Sequence, residues 1–93
     1  MNKKELKKRL REAGDATINY RSPNSRKQKY NVCTIDFNNK YIQSKDLKVS
    51  EGEDSVLMFC WDSDSFRLMK PENVVSIVPL STVLKNTKGA GDG

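Results

Sequence analysis

The chain has 93 residues, which is enough for one domain and too few for a second independent core. It contains no histidine, so histidine-based nucleophile pairs and histidine-ligated zinc are excluded. No run approaches the roughly 18 apolar residues of a membrane span, and the basic N-terminus does not lead into the apolar region of a signal peptide. We therefore expect no membrane association.

The charge is concentrated in one part of the chain. The whole sequence has 17 Lys and Arg against 12 Asp and Glu, a net charge of +5. Residues 1–30 carry ten cations and three acids, a net charge of +7, whereas residues 31–93 carry seven cations and nine acids, a net charge of −2. Such an asymmetry favours contact with a polyanion through the basic third.

The first predicted element is a helix over residues 2–13. Asn2 is a capping residue, Leu6 and Leu10 are four positions apart, and Gly14 is typical of a helix C-terminus. The apolar stripe is narrow and the remaining surface is mostly Lys and Arg. The pattern predicts a helix that lies on the core and exposes a basic face.

A first strand and a basic loop follow the helix. Apolar and polar residues alternate over residues 16–22, which predicts a strand. Pro23 prevents a helix from continuing, so the cations between residues 21 and 29 are expected to lie on a mobile loop.

The next segment is predicted to be a hairpin over residues 30–44. Residues 30–37 are rich in β-branched and aromatic side chains, and Asn38-Asn39 suits a tight turn before residues 40–44. Residues 45–54 then read as a surface loop whose acids face away from the basic region.

The second half of the chain predicts three more strands. The apolar run 55–61 is typical of a central strand buried on both faces, and strands 66–70 and 74–78 follow it. Residues 80–86 suit one helical turn, and the glycine-rich tail 88–93 is expected to be disordered.

These elements predict a single α+β domain over residues 1–87. Its sheet, with strands mainly between residues 30 and 78, is expected to be antiparallel, five- or six-stranded and strongly bent. Curling into a small SH3-like or Sm-like barrel would protect the strand edges of so short a chain.

No residue set in the sequence predicts catalysis. Cys33 and Cys60 lie in apolar runs and are expected to be buried, reduced thiols, which favours a cytoplasmic location. Asp36, Asp62 and Asp64 suit turns better than a metal site. We therefore expect neither an enzyme, nor a cofactor, nor a bound metal.

Nucleic-acid binding is the function that the charge pattern favours. The cations of the helix and loop would contact phosphates, and Tyr30 would stack on a base. DNA is slightly favoured over RNA because no RNA-binding signature is present. The predicted binding residues are Lys4, Lys7, Lys8, Arg11, Arg21, Arg26, Lys27, Lys29 and Tyr30.

The alternative function is that of a small inhibitor or adaptor that binds a protein. In that case one face of the strand 55–61 would form a partner or homodimer interface: either Leu57, Phe59 and Trp61, the face we favour, or Val56, Met58 and Cys60. The basic region would then contact an acidic protein surface.

Overall fold

The computed structural model describes residues 1–22 and 24–82 of the chain. Within these residues an N-terminal helix is followed by an antiparallel sheet of five strands, which confirms the α+β class. In chain order the elements are α1 (Lys3–Ala13), β1 (Asp15–Arg21), β2 (Gln28–Thr34), α2 (Lys40–Gln43), β3 (Val56–Cys60), β4 (Ser65–Met69), a 3-10 turn (Pro71–Asn73) and β5 (Val74–Pro79).

The predicted N-terminal helix is confirmed as α1. The Asn2 side-chain oxygen accepts a hydrogen bond of 2.8 Å from the Glu5 backbone N–H, which satisfies one free donor of the first turn. Gly14 ends the helix at φ +73°, a conformation that other residues rarely adopt. Leu6 and Leu10 are fully buried against the sheet.

The first hairpin joins β1 to β2. The two strands pair from Asp15 with Thr34 to Arg21 with Gln28, and residues 22–27 connect them. The Ser22 N–H donates to the Lys27 carbonyl over 2.9 Å and closes this connection. The basic loop is thus shorter than the predicted 21–29, and Lys29 belongs to β2.

The predicted hairpin over residues 30–44 is wrong. Beyond Thr34, side chains take over the backbone hydrogen bonds that a ladder would use: Thr34 Oγ1 accepts from the Asp36 N–H, and Asp36 Oδ1 accepts from the Asn38 N–H. Asn39 then caps α2 by accepting a 2.8 Å hydrogen bond from the Tyr41 N–H. Asparagine therefore acts here as a helix cap rather than as a hairpin turn residue.

The strands are arranged in the order β4-β3-β2-β1-β5. Arg67 on β4 donates a hydrogen bond to the Tyr20 hydroxyl on β1, three positions away in this order. On a flat sheet the two strands would lie about 14 Å apart, so this contact indicates a curled sheet. No backbone pairing joins β4 to β5 among the described residues, and the expected barrel is not closed.

Strand β3 is buried on both faces, as predicted. All five of its residues are buried, and Val56, Met58 and Cys60 join the main core beneath α1. As predicted, it is an interior strand, because it lies between β4 and β2, while β2 occupies the middle position of the sheet. Only Cys33 and Thr34 of β2 pair with β3, since β2 ends there.

The structure describes only part of the C-terminal segment, residues 80–93, for which a helical turn and a disordered tail are predicted. Residues 80–82 are helical, in line with the predicted turn over 80–86, while the rest of that turn and the tail 88–93 lie outside the described residues. No helix within the described residues is long and apolar enough to cross a membrane.

The two cysteines are directly opposite each other on neighbouring strands. Cys33 of β2 and Cys60 of β3 are register partners, and both thiols are free and fully buried. Burial raises the pKa of Cys33 to about 12 and the pKa of Cys60 to about 11. Both thiols are therefore poor nucleophiles in the folded protein.

We expect native Cys33 and Cys60 to react with a thiol reagent at least about 100-fold more slowly at mildly alkaline pH than in concentrated guanidinium chloride, because only the thiolate reacts. Release of a chromophore from a disulfide reagent measures both rates. Equal rates in the two solutions would contradict the buried, protonated state of these thiols.

Candidate nucleic-acid interface

The end of the first hairpin carries four exposed cations. Arg21 ends β1, Arg26 and Lys27 lie on the connection, and Lys29 lies near the start of β2. We refer to these four residues as the basic hairpin. None of them forms an ion pair with the described part of the chain. Their charge is therefore available to an external anion.

The register distributes the basic hairpin over two faces of the sheet. Lys29 is opposite Tyr20, whose side chain points into the core, so Lys29 is on the inner face. Tyr30 is opposite Asn19 and is 65% exposed on the outer face, the face that Arg21 shares. Tyr30 and Lys29 thus point to opposite faces of the sheet. Arg26 and Lys27 lie at the tip of the hairpin, between the two strands.

A second basic surface runs along α1. Lys4, Lys8 and Arg11 are exposed and spaced at i, i+4 and i+7, so they form one stripe facing away from Leu6 and Leu10. We refer to these three cations as the helix stripe. They are free of ion pairs within the described residues.

Lys7, by contrast, is neutralised by an acid of the 45–54 loop. Its Nζ lies 2.9 Å from Glu51 Oε2, and Lys3 Nζ lies 3.2 Å from the same oxygen. The prediction that the acids of this loop face away from the basic region is therefore wrong for Glu51. Lys7 is consequently a weaker candidate for phosphate contact than the helix stripe.

Glu51 connects α1 to the start of β3. Besides Lys7 and Lys3, the Leu57 N–H donates to Glu51 Oε1 over 3.0 Å. The hydrogen bond from Lys7, together with those from Leu57 and Lys3, lowers the pKa of Glu51 from 4.5 to about 2. The ionised carboxylate thus stabilises the docking of the helix.

We expect Glu51→Gln to lower the free energy of unfolding by about 1–2 kcal/mol at neutral pH, because charged hydrogen bonds are lost. Since the folded pKa is below the unfolded value, this contribution is present above about pH 4.5 and is lost as the pH falls towards 2. Urea denaturation of both proteins at several pH values measures the difference. A difference that does not shrink in acid would contradict the ion pair.

Two further cations, from β4 and from the residue that follows it, lie near the basic hairpin. Arg67 and Lys70 face Lys29 across a cleft of about 380 Å³. We refer to this as the β4 cleft; the other residues that line it are Tyr20, Ser22, Asn24, Leu68, Met69 and Asn73. None of the described lining residues is acidic. The charge pattern of the sequence does not indicate this site, because Arg67 and Lys70 lie outside the basic third.

The guanidinium of Arg67 is held in place by neutral groups. Its Nη1 donates to the Tyr20 hydroxyl and, over 2.7 Å, to Asn31 Oδ1. Its Cζ lies 5.4 Å from the centre of the Tyr20 ring, which is a cation–π distance. Asp62 accepts from the Asn31 amide at 3.2 Å and forms no ion pair with Arg67. These contacts fix the orientation of the guanidinium, and none of them is to an acid.

The apolar face predicted as a protein interface is mostly covered. Phe59 is fully buried, Leu57 is 8% exposed and Trp61 is half-buried. Phe59 packs edge-on against Trp61 and against Tyr41 of α2. The segment that was predicted to pair as a strand covers this face instead, so Leu57 and Phe59 are not available to a partner.

The aspartates of the β3–β4 turn contact residues of other segments. Asp64 pairs with Lys45 at 2.8 Å and accepts from the Tyr41 hydroxyl over 2.6 Å, and these contacts lower its pKa. Asp62 accepts from the Asn31 amide. Within residues 1–22 and 24–82 no three His, Cys, Asp or Glu side chains come together as metal ligands.

No family model, curated protein or solved structure matches this chain.

Proposed function

We propose that this protein is a non-catalytic, nucleic-acid-binding protein that contacts phosphates through the basic hairpin. The observation that carries the proposal is the set of four exposed cations at one end of the first hairpin, none paired with a described acid. Lys and Arg side chains clustered at one end of the fold and not paired with acids are the kind of surface that a phosphate backbone selects.

The hairpin tip presents Arg26 to solvent. Arg26 adopts φ +57°, a left-handed conformation that is common at hairpin connections. Its side chain is exposed. In this proposal Arg26 contacts a phosphate directly.

The helix stripe is proposed as a second phosphate contact. Lys4, Lys8 and Arg11 add a charge of +3 on a face that makes no contact with the core. In this proposal Tyr30 stacks on an exposed base from the outer face, next to Arg21. Neither contact reads a base sequence, so binding is expected to be non-specific, with DNA slightly favoured.

The SH3-like or Sm-like architecture is part of this proposal only as an analogy in the order of the elements. A leading helix and a curled five-stranded sheet are the layout expected of an SH3-like or Sm-like fold, and the binding argument is independent of it. A cytoplasmic location and an acidic protein surface as a second kind of partner likewise stay predictions.

Fluorescence anisotropy with duplex DNA, single-stranded DNA and RNA of equal length tests the proposal. If about six cations contact phosphate, a plot of log affinity against log salt concentration has a slope of about −4 to −5. Absence of binding to all three ligands at low salt would overturn the proposal. Light scattering of the free protein at several concentrations measures whether it is a homodimer.

A further inference from the structure

We infer that the β4 cleft binds one unpaired nucleotide through its phosphate group. Arg67 is the phosphate ligand, and Lys29 and Lys70 are the flanking cations. The inference rests on the proposed function, because it identifies which part of a nucleic acid enters the fold. It also concerns a site that includes residues far in sequence from the basic hairpin.

The charge of the cleft selects an anion. Lys29, Arg67 and Lys70 contribute a charge of +3, and no described lining residue offsets it. The two protein contacts of Arg67 use Nη1, so its other N–H donors are available to an oxyanion. A planar guanidinium fixed in this way matches the oxygens of a phosphate with two parallel hydrogen bonds.

The size of the cleft selects a small unit rather than a duplex. A volume of about 380 Å³ lies within the range of small-molecule sites. A paired nucleotide is held in the base stack, whereas an unpaired one can turn out and enter a recess. The ligand is therefore a free nucleotide or one nucleotide of a single strand, and both present the same phosphate chemistry.

The rest of the lining indicates weak selection of the base. Asn24 and Asn73 offer neutral hydrogen bonds, and Leu68, which is 41% exposed, offers an apolar surface. The Tyr20 ring is occupied by Arg67 and does not stack on a base. Recognition thus depends on the phosphate, and different nucleotides are expected to bind with similar affinity.

Chemical-shift mapping of the full chain with thymidine 5′-monophosphate tests the site directly. We expect the amides of Lys29, Leu68, Met69 and Lys70 to shift with the nucleotide and with inorganic phosphate, and not with thymidine. Shifts of equal size with thymidine, or no shift at these amides with either phosphate compound, would overturn the inference.

Two variants assign the contact to side chains. Arg67→Lys keeps the charge but loses the planar fork, and we expect it to weaken nucleotide binding by about tenfold. Lys70→Gln removes a side chain that makes no hydrogen bond or ion pair within the described residues, and about threefold weaker binding is expected. Lys40→Gln, which neutralises an exposed lysine of α2, is the matched control and should bind as the wild type. Wild-type affinity in both cleft variants would overturn the inference.

Oligothymidylate and a duplex of equal length separate this inference from the proposed function. We expect Arg67→Lys to weaken binding to the single strand and to leave duplex affinity within about twofold. If charge reversal in the basic hairpin weakens binding while both cleft variants bind normally, the inference fails and the proposed function stands. If the mononucleotide occupies the cleft but no oligonucleotide binds, the cleft takes a free nucleotide and the proposed function fails.

Discussion

The double variant Lys27→Glu/Lys29→Glu is expected to weaken nucleic-acid binding by about 30- to 100-fold at low salt, and by a similar factor for every base sequence. Both lysines are exposed and are not paired with a described acid, so reversal replaces two attractions to phosphate by two repulsions. Fluorescence anisotropy with several oligonucleotides of equal length measures the effect.

A matched control separates this local effect from the change in net charge. The variant Lys40→Glu/Lys48→Glu alters the net charge by the same amount on α2 and on the 45–54 loop. Lys48 is highly exposed, and its distance to Asp46 is 3.8 Å, so little stability depends on it. We expect the control to weaken binding by less than about threefold. Equal losses in the two double variants would contradict the assignment to the basic hairpin.

Phe59→Ala is expected to have the largest effect on stability. Phe59 is fully buried and packs edge-on against three rings, at centroid distances of 5.1 Å to Trp61, 5.3 Å to Phe66 and 6.4 Å to Tyr41. Truncation of a buried phenylalanine lowers the free energy of unfolding by about 3–5 kcal/mol. In a domain of this size such a loss lowers the Tm by about 15–25 °C.

Denaturation followed by the fluorescence of Trp61, the one tryptophan of the chain, measures this loss. Phe37→Ala is the matched control, since Phe37 is half-buried and packs on Phe66 at 5.7 Å. We expect it to cost about 1–2 kcal/mol of unfolding free energy. A cost for Phe59→Ala no greater than for the control would contradict the packing of α2 on β3.

Local signals in the sequence predict part of the fold well. The cap at Asn2 and the glycine at position 14 determine both ends of α1 within a few residues. Alternating or continuous apolar runs identify β1 and β3 in the same way. These elements depend on hydrogen bonds and burial that the nearest neighbours in the chain already specify.

Pairing of the strands was harder to predict, because it depends on distant residues. Asn39 suits both a hairpin turn and a helix cap, and the helix is favoured by the packing of Tyr41 on Phe59 of β3 and on Trp61, which follows β3. Nothing local in Asn38-Asn39 therefore indicates that residues 40–44 lie outside the sheet. The prediction that β2 pairs with residues 40–44, rather than with β3, is wrong because Asn39 suits both structures.

The candidate site shows the same limit. Arg21, Arg26, Lys27 and Lys29 stand out in the sequence as a cluster of charge. Arg67 is isolated in an apolar strand, and only the curl of the sheet brings it to Tyr20 and Lys29. Likewise, no local pattern indicates that Glu51 neutralises Lys7, because 44 positions separate the two residues.

The salt dependence of binding, compared between the wild type and Lys27→Gln/Lys29→Gln, tests most directly whether the hairpin lysines touch phosphates. Each lost phosphate contact reduces the slope of log affinity against log salt by about 0.7–0.9, so the variant should have a slope shallower by about 1.4–1.8. Parallel lines for the two proteins would mean that neither lysine displaces a counterion, and would contradict binding through this end of the molecule.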